Sequence, residues 1–87
     1  MTKSETFRAR AVAADADQGP EALGRLGGLL PGRSFATSDG HAVTIECDVR
    51  ARDLASAPAE ALKAIAAAAE MARCPVEPDH ISATRYN

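Results

Sequence analysis

The chain has 87 residues and a formal net charge of −2, with 12 acidic and 10 basic side chains. So balanced a charge gives no support to non-specific nucleic-acid binding, which usually needs a strong basic excess. Residues 1–87 are expected to form a single domain near the small end of what folds alone, with residues 1–5 disordered. Chains of this size often gain stability by self-association.

The sequence indicates neither a membrane protein nor a secreted protein. No apolar run approaches the roughly 18 residues that a membrane helix needs. The first ten residues, MTKSETFRAR, lack the apolar stretch of a signal peptide. We therefore expect a cytoplasmic location, and we predict no membrane contact and no cofactor. Cys47 and Cys74 lie far apart without a CxxC motif, which predicts two buried thiols.

Several segments show the alternation of strands. Residues 6–14, TFRARAVAA, place the phenylalanine and most alanines on one face and two arginines on the other, which is typical of a half-buried strand. The DG dipeptide near the middle of the chain predicts a hairpin with arms at residues 33–37 and 41–51, because glycine accepts the positive φ of a tight turn. Residues 80–87, HISATRYN, are predicted to form a last short strand.

Two segments have the periodicity and punctuation of helices. The first is predicted between Pro20 and Pro31, with leucines at helical spacing and with Gly19 or Asp17 as its cap, because proline suits the first turn of a helix. The second runs over residues 58–73, where strong helix formers fill every turn and a proline follows.

The order strand, helix, strand, strand, helix, strand predicts an α+β fold. We expect a ferredoxin-like βαββαβ plait, in which a four-stranded antiparallel sheet of order 4-1-3-2 carries both helices on one face. The charges support this order, because opposite charges on neighbouring strands contribute roughly 0.2–1 kcal/mol per pair. The outer-face charges are Arg8 and Arg10 on the first strand and Glu46, Asp48 and Arg50 on the third.

The segment DGHAVTIECDV, residues 39–49, concentrates reactive side chains in a short stretch. Alternation places His41 and Cys47 with the valines and the isoleucine on the buried face, and Glu46 and Asp48 on the other face. A strand cannot bring Cys47 and Glu46 to one metal ion or one substrate atom. The segment is therefore predicted to be an ordinary hairpin arm, and no catalytic residue or metal ligand is predicted.

The predicted topology separates charge between two ends of the molecule. Acidic side chains and both histidines collect at one end, which leaves an alternative interpretation open. An enzyme whose site forms at a subunit interface would use His41, His80 and Asp79 as its acid–base groups.

The opposite end is predicted to be basic, and its arginines are candidates for binding an anionic partner, because the forked guanidinium suits carboxylates and phosphates. The candidate residues are Arg8, Arg33, Arg50, Arg52 and Arg85. The alternative is that these are solvated charges and ion pairs of roughly 0–1 kcal/mol each. Nucleic-acid binding at this end is a third interpretation, which the near-neutral charge does not favour.

The second helix offers a candidate interface. Its inward stripe is predicted to be Leu62, Ile65, Ala69 and Ala72. Its far side is predicted to be Ala64, Ala67, Ala68 and Met71, an apolar surface with few charges that is typical of a helix-mediated contact. The alternative is that an alanine-rich chain simply uses its best helix former freely.

These observations favour a non-enzymatic interaction or regulatory module that acts as a homo-oligomer or as a subunit bound to a protein partner. The interface enzyme and the anion or nucleic-acid binder are the competing interpretations. They differ in the surface that each needs: an enzyme needs a concave pocket that encloses a histidine, and a binding module needs a flat or convex patch.

Overall fold

The computed structural model describes residues 4–14 and 19–85. In chain order its elements are β1 (Glu5–Ala14), α1 (Pro20–Leu29), β2 (Phe35–Ser38), β3 (Ala42–Ala51), α2 (Ala57–Ala72) and β4 (His80–Arg85). The predicted α+β order of elements is confirmed. Gly19 caps α1, and the other predicted cap, Asp17, lies outside the described residues, as do residues 1–3 and 86–87.

The four strands form one antiparallel sheet of order β2-β3-β1-β4, which is the predicted order counted from the other edge. The two longest strands lie at its centre. They pair over their whole length, from Glu5 opposite Ala51 to Ala14 opposite Ala42. The short strands therefore form the edges, with β2 beside β3 and β4 beside β1.

The core lies on one face of this sheet. Alternate residues of β1 and β3, including Phe7 and Ile45, are buried there. Leu26 of α1 and Ile65 of α2 belong to the same buried cluster, so both helices cover the same face. Cys47 lies fully buried in this core, as its alternation with valine and isoleucine predicts. Many core residues are alanines, which allow helices and sheet to approach closely.

The predicted orientation of α2 was partly wrong. Leu62, expected inward, is 46% exposed, whereas Ala68, expected on the far side, is only 3% exposed. The buried stripe runs through Ala61, Ile65, Ala68 and Ala72, whose spacing of four, three and four residues follows the helical period. This stripe places Leu62 on one flank of the helix. Three of the four residues in this stripe are alanines, so small side chains fill most of the contact between α2 and the core.

A charged cluster connects β1 and β3 on the outer face of the sheet. Arg8 lies opposite Asp48 in the strand register. Its Nη1 lies 3.1 Å from Asp48 Oδ1, and its Nε lies 3.5 Å from Glu46 Oε1. The guanidinium also lies over the ring of Phe35, 5.9 Å from its centroid. The predicted cross-strand pairing is thus confirmed for Arg8. Arg10, also expected to pair, forms no ion pair with the described residues.

The same carboxylate holds the loop between α1 and β2. The backbone N–H of Arg33 donates to Asp48 Oδ2 at 3.0 Å, and the N–H of Asp48 donates to the carbonyl of Pro31 at 3.1 Å. Arg8 Nη1 donates to the carbonyl of Arg33. Asp48 therefore joins both central strands to this loop.

Gly32 lies between these anchored residues, in the left-handed region at φ 68°. A Cβ there would fall on the Asp48 side chain, within 2.7 Å of its Cγ. Only glycine fits this position without displacing the carboxylate. Residues with a side chain rarely adopt this φ, and a Cβ atom does not approach other heavy atoms so closely.

We predict that Gly32→Ala lowers the free energy of unfolding by about 2–4 kcal/mol, because it combines backbone strain with displacement of Asp48. Urea unfolding followed by circular dichroism measures this change.

Gly24→Ala is the matched control. Gly24 lies within α1, and a Cβ there meets no atom within 4 Å. The same substitution should therefore raise stability by about 0.5–1 kcal/mol, through the higher helix propensity of alanine. Equal effects of the two substitutions would contradict the special role of Gly32.

Candidate functional site

The predicted acid–base group of His41, Asp79 and His80 does not come together. His41 lies in the turn before β3, and His80 lies in β4 opposite Val12. Because β1 separates these two strands, the histidines are at least two strand spacings, roughly 10 Å, apart. Among the described residues, no three His, Cys, Asp or Glu side chains are placed to hold a metal ion together.

Asp79 has a structural contact at this end of the sheet. Its Oδ2 accepts a hydrogen bond from the N–H of Ala14 at 2.7 Å, and its own N–H donates to the carbonyl of Val12 at 2.8 Å. Asp79 therefore fixes the end of β1 to the start of β4. This contact was not expected from the sequence, since Asp79 and Ala14 are far apart along the chain.

The Asp39-Gly40 turn explains why an aspartate precedes the histidine. Asp39 Oδ1 accepts hydrogen bonds from the N–H groups of His41 and Ala42, both at 2.8 Å. These two donors, Ala42 first, hold the pKa of Asp39 below its usual value. Gly40 adopts a positive φ of 92°, as the predicted turn requires. The carboxylate closes the turn.

The five candidate arginines do not form one cluster. Arg8 is held by Glu46 and Asp48, as described above. Arg85 Nη1 lies 2.8 Å from Glu5 Oε2, and its guanidinium covers the ring of Phe7. The remaining three, Arg33, Arg50 and Arg52, are exposed and form no ion pair with the part of the chain that the structure describes.

Two of these arginines, Arg50 and Arg52, line a depression of about 290 Å³ beside the start of α2. The carboxylate-bearing Glu60 lines it too. The nearby Asp53 accepts hydrogen bonds through Oδ1 from the N–H and the hydroxyl of Ser56, at 2.8 and 2.7 Å. The positive end of the helix is thus already next to an acidic group of this chain, which reduces its attraction for an external anion.

The contact with Ser56 lowers the pKa of Asp53, through the side-chain hydrogen bond first and the backbone bond second. A lowered folded-state pKa means that the ionised carboxylate stabilises the fold above its unfolded-state pKa of about 3.9. This stabilisation is lost as the pH falls through the folded-state pKa.

Asp53→Ala is therefore expected to lower Tm at pH 7 and to lower it progressively less as the pH falls below about 4. Thermal unfolding of wild type and variant between pH 2 and pH 7 measures the difference. Glu77→Ala, which removes an exposed carboxylate that forms no hydrogen bond with the described residues, is the control and should show no such trend. A pH-independent effect of Asp53→Ala would contradict the assignment.

The outward side of α2 is an exposed and mainly apolar surface. Its exposed residues are Ala59, Leu62, Lys63, Ala66, Ala67, Glu70 and Met71. Only one cation and one anion interrupt it, and Met71 is 73% exposed. Of the predicted interface residues, Ala67 and Met71 lie on this surface, Ala64 is half-buried, and Ala68 belongs to the core. Leu62 was missed because a leucine at helical spacing is typical of the core.

Two larger depressions lie elsewhere. One of about 490 Å³ lies where α2 ends, lined by Ala66, Ala69, Glu70, Arg73, Cys74, Pro75, Val76 and Glu77. The other, of about 500 Å³, lies between α1 and β2, lined by Pro20, Leu23, Gly24, Ala36, Thr37 and Ser38. Burial raises the pKa of the Cys74 thiol, which keeps it protonated and unsuited to nucleophilic attack at neutral pH.

Comparison with protein-family models, with curated proteins and with solved structures finds no match for this chain. Within residues 4–14 and 19–85, neither helix has the length and apolar character that crossing a membrane would take.

Proposed function

We propose that this chain is a non-enzymatic interaction or regulatory module of the cytoplasm that acts as a homo-oligomer or as a subunit bound to a protein partner. We further propose that its sheet and helices form a ferredoxin-like plait. The order of the elements and the strand order β2-β3-β1-β4 support this arrangement.

The observation that carries the proposal is the exposed apolar side of α2, which we call the α2 face: Ala59, Leu62, Ala66, Ala67 and Met71. Leu62 and Met71 are 46% and 73% exposed. Covering a large apolar side chain with another chain contributes up to about 1.5–3 kcal/mol. A convex helical face of this kind suits contact with another folded chain better than it suits enclosure of a small substrate.

The competing interpretations have weaker support. His41 lies in the turn before β3 and His80 lies in β4, two strands that β1 separates, and Asp79 is hydrogen-bonded within the chain. Arg8 and Arg85 are already paired with acidic side chains, and Asp53 lies beside the start of α2. Three of the groups that an enzyme or an anion-binding site would use, Arg8, Arg85 and Asp79, are therefore engaged within this chain, and the two histidines are not brought together.

We predict that the double variant Leu62→Glu with Met71→Glu abolishes association through the α2 face, because two charges would have to be buried in the contact. The monomer should keep the stability of wild type, since both side chains are exposed. Light scattering over a range of concentrations measures the mass, and thermal unfolding measures the stability.

Thr37→Glu is the control, because it adds a charge at an exposed position on the other side of the molecule. It should leave the mass unchanged. An oligomer that survives the double variant would contradict the role of the α2 face. A wild-type chain that stays monomeric would exclude the homo-oligomer, and a different protein would then have to be the partner.

A further inference from the structure

The two edges of the sheet are differently protected. At one edge, β2 has four residues, and beyond it the loop carbonyl of Pro31 accepts the N–H of Asp48, so the rest of β3 is partly covered. At the other edge, β4 pairs with β1 without interruption from His80 to Arg85 and meets no further strand among the described residues. Open edges of this kind are templates for another strand.

The hydrogen bonds at the end of β1 show which of its backbone groups face β4. The carbonyl of Val12 accepts the N–H of Asp79, and the N–H of Ala14 donates to the Asp79 carboxylate. Backbone groups alternate in direction along a strand. The even-numbered residues of β1 therefore turn their N–H and C=O groups towards β4.

The register then fixes the direction of the groups in β4. Ser82 lies opposite Arg10 of β1, so Ser82 bonds inward to the sheet. By alternation, Ile81 and Ala83 turn their N–H and C=O groups away from β1, towards the open edge. Their side chains point to the helix side, where they are half-buried against the core.

From His80 to Thr84, β4 lacks the devices that block edge pairing, and only Arg85 at its end adds a charge on the helix side, where its guanidinium covers the ring of Phe7. Its sequence HISATR contains no proline, and its pairing with β1 contains no bulge. The inward-facing Ile81 and Ala83 carry no charge. Proline, bulges and inward-pointing charges are the features by which proteins usually protect a sheet edge.

The charges along β4 are complementary to those of a second copy running the opposite way. The strand is preceded by exposed Glu77 and Asp79, and it ends at exposed Arg85. When two copies run antiparallel with Ser82 opposite Ser82, Arg85 of each copy lies opposite Asp79 of the other. Each side chain keeps its contact within its own chain, Arg85 with Glu5 and Asp79 with the N–H of Ala14, and gains an opposite charge beside it. A parallel arrangement would place like charges together instead.

The helix beside this edge presents the apolar surface that such a pairing would cover. Ala66 and Ala69 line the depression next to the segment that leads into β4. Leu62 lies on the same flank, one and two turns earlier. Glu60 and Ala64 lie on the other flank, towards Pro31. Extending the sheet at β4 brings the Leu62 flanks of two α2 helices together.

We propose that two copies of this chain pair antiparallel along β4, about a two-fold axis at Ser82, to form one continuous eight-stranded sheet with the two α2 helices side by side. This dimer rests on the proposed function and names its partner. The outward N–H and C=O groups of Ile81 and Ala83 supply the hydrogen bonds, and Leu62 supplies apolar contact.

Disulfide trapping tests the pairing. Opposite residues of a non-hydrogen-bonded antiparallel pair have Cα atoms about 4.5 Å apart, which a disulfide can span. Ser82→Cys is expected to form a covalent dimer in oxidised glutathione. Thr37→Cys, on the same outer face of the other edge strand, should remain monomeric on the same non-reducing gel. The native cysteines are buried and do not compete.

Light scattering tests the contact without a cross-link. Ala83→Pro removes an outward N–H that the dimer needs and no hydrogen bond within the chain, so it is expected to give a monomer with the wild-type circular dichroism spectrum. Leu62→Glu should raise the dimer dissociation constant at least about tenfold. Met71→Glu, on the opposite flank of α2, should leave that constant unchanged.

The outcomes separate this dimer from the proposed function. A wild-type monomer with no cross-link in Ser82→Cys would overturn the β4 dimer, while another protein, including one that adds an extended segment at β4, would remain as partner.

A dimer that survives Ala83→Pro but not the α2 variants would overturn the β4 pairing and support the α2 face. A dimer unaffected by both α2 variants would contradict the role of the α2 face on which the proposed function rests. Should Ala83→Pro unfold, the Ser82→Cys and Thr37→Cys comparison decides.

Discussion

The contact of Arg8 with Asp48 joins the two central strands, and the rest of the structure depends on this pairing. The two side chains are about one-fifth to one-quarter exposed, so water screens their attraction less than it screens an open surface pair. The same carboxylate receives the Arg33 N–H and leaves no room for a side chain at Gly32. One acidic group therefore connects β1, β3 and the loop that leads into β2.

This arrangement determines which surfaces remain available. With β1 and β3 at the centre, the loop held by Asp48 shields the part of β3 beyond β2, and β4 is the longer of the two edge strands. The helices cover one face of the sheet, and charged side chains lie along the outer face, where Arg8 pairs with Glu46 and Asp48. The α2 face and the edge of β4 remain accessible to another chain. Both surfaces suit association better than catalysis.

Much of the fold could be predicted from the sequence, because alternation in residues 6–14 and 41–51 assigns both faces of the central strands. The opposite charges on the outer faces of these two strands supported their predicted adjacency. The rotation of α2 could not be predicted, since alanine is equally suited to core and surface, and Leu62 and Ala68 were exchanged. The roles of Gly32 and Asp79 were also missed, because each depends on a contact with a strand that is distant in sequence.

A double-mutant cycle of Arg8→Ala and Asp48→Ala tests the central interaction most directly. Stability would be measured by urea unfolding for wild type, both single variants and the double variant. If Asp48 anchors Arg8 and the loop together, the two substitutions should be non-additive, with a coupling free energy of roughly 1 kcal/mol or more. Additive effects, with a coupling below about 0.3 kcal/mol, would contradict this account of the fold.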